Sequence, residues 1–539
     1  MNLWNNKLLK EFILKNTGWI LLIFALLIIA DLCRVWAAAR VETIVDMLTA
    51  RTEPLSYVMG FVLLSALIMF CYYTGRYVYQ LLGEFLEAKL ATHTRIKLAE
   101  RLARISFRKY EEFATGDIQS IIRNDVTTAS AVMHMLTMIA ANLFLLFLTG
   151  GYMIYVNPKA GIVVVSISVA ITLVNQLLLR LGKRYLRKMR DAIGDMTSVL
   201  ETSFHGMDTV KTYAAQGYVK QFFMKHKQAF NKNSYRWAAF YAARDTIVTI
   251  VRVGGMFGAM LYLGFLGIQG EMSLGQVFVF ITLLRDFTMP LLVSLRYTTR
   301  LAVAAVSWGR IRKVLDVPEN PHAAEAAPYP ALDTAALKDI CFSYDGKKKI
   351  LDHFSLDLQK GRSHVLRGES GGGKSTLLKI MTGLYEPDMG MFLADGKQAD
   401  KARFLNSTVF VASNNPLFSM SLYDNITLGD ESITKEQCMQ LADDLGIGDW
   451  IRSLPDGLDT QITENGGNLS GGQRQMINNM RALLARAAIV VFDEPTSALD
   501  KEKEALFSAA VDRLKRDRLV LITSHRGDVI SSCDKVYHL

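Results

Sequence analysis

Residues 368–376 read Gly368-Glu369-Ser370-Gly371-Gly372-Gly373-Lys374-Ser375-Thr376, which fits the pattern G-x-x-x-x-G-K-[ST]. Glycines such as Gly368, Gly371 and Gly373 free backbone N–H groups to curl around phosphate oxygens. The run opens a helix, whose N-terminus favours an anion. In this pattern Lys374 reaches the β- and γ-phosphates and the Ser375 hydroxyl sits on Mg2+, with Ser370 and Thr376 beside them. Further on, Asp493-Glu494 follows the apolar run Ile489–Phe492, and His525 follows Leu521-Ile522-Thr523-Ser524. Phosphoryl transfer to water needs neutralised oxygens, a bound metal and an oriented nucleophile. Ser375 and Asp493 are the candidates for Mg2+, Glu494 for the general base, and His525 for holding the γ-phosphate and water in register. Alone, an Asp-Glu pair after a strand is more often a surface turn, and a single histidine more often packs. Their order behind the phosphate loop favours chemistry.

A second string, Leu469-Ser470-Gly471-Gly472-Gln473, lies downstream, and Ser497-Ala498-Leu499-Asp500 comes just after Glu494. With these motifs in this order the chain resembles the ATP-binding-cassette (ABC) family. The resemblance implies ATP and Mg2+ as ligands, with Tyr344 of Phe342-Ser343-Tyr344 stacking on adenine rather than merely packing in a strand. It also implies a head-to-tail pair of ATPase domains, in which the Ser470 loop of one closes on the γ-phosphate held by the other, with Asp500 at the seam. One chain carries one set, so it is expected to be half a transporter that works with a second copy or a sister chain. The catalytic glutamate and the signature are both intact, which favours two identical copies. One position departs from the pattern: where relatives carry a glutamine that contacts Mg2+ and water, this chain has Ser413, followed by Asn414 and Asn415. Serine reaches the metal only through a water, which puts coupling in doubt. After His525 only fourteen residues remain, fewer than the resemblance implies.

These residues must be held by elements, and the composition divides the chain in two. Residues 1–300 hold long apolar runs, whereas 334–539 alternate short apolar strands with helical patterns, as in a largely parallel α/β sheet. Six runs approach the twenty residues that cross a hydrocarbon core: Thr17–Ala38, Tyr57–Leu82, Met133–Tyr155, Ala160–Leu181, Ile247–Ile268 and Leu274–Leu295. The expected fold is therefore an all-α membrane domain of six helices with long cytoplasmic extensions, followed by an α/β P-loop ATPase domain. The expected boundaries are an amphipathic elbow helix at 1–16, spans and extensions at 17–315, a proline-rich linker at 316–333 and the ATPase domain at 334–539. Only sixteen residues precede the first span, so no peptidase domain is expected there.

The formal charge of +10 does not point to nucleic acid. Much of it sits between spans, at Lys89–Lys109 and Lys183–Arg190, which puts those stretches and both termini in the cytoplasm. The location expected from the resemblance is a bacterial inner or plasma membrane. Five cysteines without C-x-x-C spacing give neither a disulfide framework nor a zinc site. The long stretches between spans break at Thr115-Gly116-Asp117 and His205-Gly206-Met207-Asp208, helix-start signals. The resemblance assigns 116–126 and 203–213 to transverse helices that dock on the ATPase domains; the plain alternative is two kinks.

Ionisable residues inside spans are costly. Asp31, Asp286, Arg34, Arg76, Arg252 and Arg285 qualify, and the excess of arginine points to an anionic or zwitterionic cargo. The bland alternative pairs Asp31 with Arg34, three residues on along one helix face. The leading expectation is ATP-driven export of a lipid, drug-like molecule or small peptide. An importer on the same fold and an ATP-binding channel or regulatory subunit are the alternatives.

Overall fold

The computed structural model describes residues 7–50, 53–319, 327–344, 346, 348–369, 371–412, 415–463, 466–524 and 533–539. The chain divides into two compact units, Met1–Leu98 with Ile118–Leu315, and Ala99–Asp117 with Asp316–Leu539.

The first unit is helical. Its elements are α1 (Lys7–Lys15), α2 (Thr17–Ala50), α3 (Leu55–Arg104, whose last turns belong to the second unit), α4 (Phe107–Glu111, in the second unit), α5 (Thr115–Ser120), α6 (Val126–Ser130), α7 (Val132–Val156), α8 (Pro158–His205), α9 (Met207–Thr212), α10 (Gln216–Ile268) and α11 (Leu274–Leu315). Among the described residues, six helical stretches are long and apolar enough to cross a membrane. α1 buries Leu9 and Phe12 on one face, as an elbow helix should. Asn157 caps α8 by accepting from the Ala160 N–H at 3.1 Å, with Pro158 at the first helical position, where its missing N–H costs nothing. The neighbouring turn is tied to it by Lys159 Nζ on Glu271 at 2.9 Å. Asp46, near the end of α2, accepts from Ser273 Oγ and the Gly275 N–H, both at 2.9 Å, and so places a carboxylate at the start of α11. A Cβ on Gly275 would lie 2.4 Å from the Glu42 carbonyl, so only glycine allows this approach.

Between α5 and α6 the helix widens into a single π turn, Ile121–Asp125. Asp125 is buried, accepts from Ser307 Oγ at 2.8 Å and forms an ion pair with Arg310 at 2.9 Å, while Trp308 Nε1 donates to the Ala129 carbonyl at 3.0 Å. The stretch 116–126, expected to dock on the ATPase domain, is thus bound from Ile121 onward to the far end of α11.

The second unit is built on two sheets. Its strands are β1 (Thr334–Ser343), β2 (Lys349–Gln359), β3 (Ser363–Arg367), β4 (Met389–Ala394), β5 (Lys397–Gln398), β6 (Thr408–Val411), β7 (Ile489–Asp493), β8 (Leu519–Thr523) and β9 (Lys535–His538). Its later helices are α12 (Lys374–Met381), α13 (Lys401–Asn406), α14 (Leu422–Thr427), α15 (Lys435–Asp444), α16 (Gly448–Ser453), α17 (Gly471–Leu484) and α18 (Lys501–Leu514). One sheet is antiparallel, in the order β2-β1-β4-β5; the other is parallel, in the order β6-β7-β8-β3-β9. Strand β7 is buried on both faces, and period-two alternation splits it between two cores. Ile489 and Val491 join the cluster under α12 and the antiparallel sheet, and Val490 and Phe492 join the cluster under α14 to α18. Because β3, β7 and β8 are parallel, the segments that follow them emerge at one edge of the sheet, where ligands of open α/β sheets bind.

Candidate functional site

That edge gathers the chemistry. The phosphate loop follows β3, Asp493 and Glu494 end β7, and Thr523 ends β8. Gly371 and Gly373 have φ of +82° and +98°, a left-handed backbone that other residues enter only with strain. Gly373 is the N-cap of α12 and offers no side chain to the first-turn N–H groups, which leaves them for an anion. Lys374 is buried, its Nζ donating to the carbonyls of Gly368 and Glu369 at 2.7 and 2.9 Å, so the ammonium is held inside the loop. A Cβ on Gly368 would meet the Leu539 carbonyl at 2.8 Å, so Leu539, one residue past β9, walls the loop. Ser375 and Thr376 lie in the first turn of α12, and Thr376 Oγ1 is 2.9 Å from the Tyr344 hydroxyl. Tyr344 is half exposed and meets Phe342 and Tyr385 edge-on, which leaves part of the ring open.

Asp493 accepts from Thr523 Oγ1 at 2.6 Å. Glu494 has φ +51°, rare for a residue with a side chain, and three contacts hold it there. Its N–H donates to Thr523 Oγ1 at 3.0 Å and to the Thr523 carbonyl at 3.2 Å, and its carbonyl accepts from Gln475 Nε2 at 2.7 Å. Gln475 also accepts from the Ala498 N–H at 2.7 Å, so α17 grips the loop on both sides of Ser497. Two further amides of the same helix extend the grip. Asn478 Nδ2 donates to the Asn415 carbonyl at 3.1 Å, and Asn479 Nδ2 to the Pro495 carbonyl at 3.0 Å. Both asparagines are buried, and their side-chain oxygens meet no donor among the described residues. A cleft of about 490 Å³ opens between α17 and this loop, lined by Asp493, Gln475, Asn478, Asn415 and Gly471.

Ser470 caps α17 in a reciprocal box: its hydroxyl accepts from the Gln473 N–H at 3.2 Å and its N–H donates to Gln473 Oε1 at 2.8 Å. Gly472 lets the Ala498 carbonyl come close, since a Cβ there would be 3.0 Å away. Leu469 is buried beside this cap. Asp500, expected at a dimer seam, is the N-cap of α18: it accepts from the Lys503 N–H at 2.9 Å and pairs with the Lys503 ammonium. Ser370, Ser413 and His525 lie outside the described residues.

Sequence reasoning missed Thr523, Gln475 and the asparagine pair, although Gln475 stands only two positions after the LSGGQ string. It also missed Glu111 on α4. Glu111 accepts from Lys379 at 2.7 Å and from the Tyr385 hydroxyl, while the Phe107 ring packs on Tyr385 and Arg108 donates to the Tyr344 carbonyl at 3.0 Å. Burial, and then the bond to Glu111, push the Tyr385 phenol above its ordinary range. A segment between two spans thus reaches the Tyr344 edge of the site through 107–111, upstream of the expected 116–126. Glu111→Ala and Lys379→Ala combined should destabilise less than the sum of the single changes, by about 1 kcal/mol in a double-mutant cycle on thermal unfolding. Strict additivity would mean that the pair carries no energy.

Of the ionisable span residues, Arg34 Nε pairs with Asp286 at 2.6 Å rather than with Asp31. Arg76 donates to the Tyr72 hydroxyl at 2.9 Å, Arg252 is half-buried and Arg285 is exposed.

Residues 20–291 match the family described as the ABC transporter transmembrane region, and residues 351–497 match the one described as ABC transporter. A probable ABC transporter ATP-binding/permease protein of Haemophilus influenzae is 27% identical over 488 residues, covering 88% of this chain and 87% of its own. An ATP-dependent lipid A-core flippase of Pseudomonas fluorescens is 28% identical over 466 residues, covering 84% and 77%. Among solved structures, a bacterial Atm1-family ABC exporter with ATP bound superposes with a TM-score of 0.76 at 21% identity, over 99% of this chain and 94% of that one, so the two share a fold. A clamped carboxylate pair opposite a glycine-rich phosphate loop, fused to six span-length helices, is therefore what these matches lead one to expect: the chain belongs to the ABC transporter family and is an integral membrane ATP hydrolase coupled to transport.

Proposed function

We propose that this chain exports an amphiphilic, lipid-like cargo across a bacterial inner membrane as a homodimer with two ATP sites at the interface. The observation that carries the dimer is the signature helix. Ser470 and the first turn of α17 form an exposed helix N-terminus that α12, with its own phosphate loop, duplicates within one chain. One chain therefore has two anion-binding helix ends and one γ-phosphate to place. A second copy, turned head to tail, gives each signature a phosphate. Asp500 then rigidifies the start of α18 behind that seam.

In this reading Tyr344 stacks on adenine, the loop from Gly368 to Thr376 holds the phosphates and Lys374 leaves its carbonyl partners for the β- and γ-oxygens. The residues present fit Mg2+. One oxygen of Asp493 is engaged by Thr523 and the other is left for a cation, at the same sheet edge as the Ser375 hydroxyl. Asp493 and Ser375 would hold the ion, which would supply positive charge to neutralise the phosphate oxygens. Glu494 takes the proton of the attacking water, and His525 holds the γ-phosphate in register. Closure is passed to the spans through α4, where Glu111, Phe107 and Arg108 touch Lys379, Tyr385 and Tyr344.

The pairing of Arg34 with Asp286 takes one of the four span arginines away from an anionic cargo, which favours an amphiphile held largely by apolar surface over a small anion. Relatives named as lipid A-core flippases, and a Lactococcus lactis multidrug resistance protein at 25% identity, support a lipid-like or drug-like cargo. A test uses inside-out and right-side-out vesicles with a fluorescent phospholipid in the outer-facing or inner-facing leaflet. ATP-dependent movement away from the ATPase side is expected. Movement toward it would reverse the assigned direction, and none with any amphiphile would remove the cargo class.

A further inference from the structure

Away from the ATPase site, the first unit contains a cavity of about 570 Å³ between α8 and α10, lined by Arg184, Tyr185, Lys188, Asn233, Arg236 and Phe240. Its floor is shaped by one glycine. A Cβ on Gly182 would lie 2.5 Å from Phe240 Cε1, so the absent side chain seats that ring. Phe240 in turn stacks on Tyr185 with centroids 5.1 Å apart and on Trp237 at 6.3 Å. Three cations therefore converge on an aromatic wall. None of the three has an ion pair among the described residues, and all three are exposed.

The depth of the pocket is fixed by helix geometry. At 1.5 Å per residue, Arg184 lies about 39 Å along α8 from Pro158, and Phe240 about 42 Å along α10 from Ile268. Pro158 and Ile268 stand at the paired turns joined by Lys159 and Glu271. A hydrocarbon core is about 30 Å thick, and about 40–45 Å with its headgroup layers. The pocket thus lies at the level of the headgroups on the side of the long helical extensions. A general excess of Lys and Arg on that side explains scattered cations; it does not explain three on one cavity with stacked rings.

We propose that this pocket holds the headgroup of an anionic phospholipid from the adjoining leaflet. Arg184 and Arg236 give forked N–H donors to the phosphate oxygens, Lys188 adds a point charge, and Tyr185 and Phe240 lie along the glycerol and upper acyl chain. Basic pockets between membrane helices bind anionic headgroups in this way. The assignment needs only that the chain is membrane-embedded and is independent of which cargo it moves.

The experiment titrates the purified full-length protein with phosphatidylglycerol or phosphatidylcholine and counts bound lipid by native mass spectrometry. A pocket variant, Arg184→Gln/Lys188→Gln/Arg236→Gln, is compared with a reference variant, Lys225→Gln/Lys227→Gln/Lys232→Gln, which removes the same charge from exposed positions of α10 outside the cavity. The pocket variant should bind phosphatidylglycerol about tenfold or more weakly and the reference within about twofold, with phosphatidylcholine unaffected in both. If the triple change prevents folding, Arg236→Gln alone should weaken phosphatidylglycerol about threefold. Equal losses in the two variants, or no loss in either, would overturn the site. Displacement of phosphatidylglycerol by millimolar inorganic phosphate would make it a free-anion site and overturn the lipid assignment.

Discussion

Glu494→Gln should lower ATP hydrolysis by the chain in lipid nanodiscs at least about a hundredfold, with ATP affinity kept within about twofold. General-base catalysis is worth about 10²–10⁴, and the substitution removes the base while keeping its shape. The backbone is the reason to expect so clean a result. Glu494 sits at φ +51° because its N–H is held by Thr523 and its carbonyl by Gln475, neither through the carboxylate. Glutamine inherits these anchors, so the loop bearing Asp493 and Ser497 stays in place and nucleotide binding survives. Turnover within tenfold of the parent would show that another group activates the water. A parent that binds ATP without turning it over would point to a sister chain or to a defect at Ser413. Ser413→Gln separates the two, since restoring the amide rescues only the second.

How much of this was legible in the sequence depends on the distance over which each feature is made. The phosphate loop and the LSGGQ string are contiguous, and their glycines announce the left-handed turns at 371 and 373 and the close approach at 472. Spans were legible because a bilayer demands length and apolarity within one segment. The continuation of α3 to Arg104 was legible too, from the helix formers that follow its span, but the run of α2 on to Ala50 was not, since a polar helix extension carries no hydropathy signal. The docking segment was misplaced for a related reason. Gly116 signals a helix start, but the contact is made by Glu111 with Lys379 and Tyr385, partners more than 260 residues away in sequence. The clamp by Gln475 and Thr523 was equally invisible, because an amide two residues past a motif reads as an ordinary helix position.

Asp286→Ala should destabilise the protein by about 3–5 kcal/mol, read as a marked fall in its thermal unfolding midpoint in detergent. Arg34 and Asp286 are only 16% exposed each and meet at 2.6 Å across α2 and α11. Removing the carboxylate strands a guanidinium whose remaining contacts among the described residues are Met69 Sδ and the Tyr72 ring, neither able to carry its charge. The double change Arg34→Leu/Asp286→Leu should recover most of the loss, because two apolar side chains leave no charge unpaired. The reading of Arg34 as a cargo residue makes the opposite demand. An arginine poised for an anionic cargo gains affinity when its competing carboxylate goes, and it has no need of Asp286 for stability. A stable Asp286→Ala protein with tighter binding of an anionic amphiphile would therefore return Arg34 to the cargo path. A destabilised one, rescued by the double change, makes the pair a strut between two spans and takes Arg34 off the cargo path.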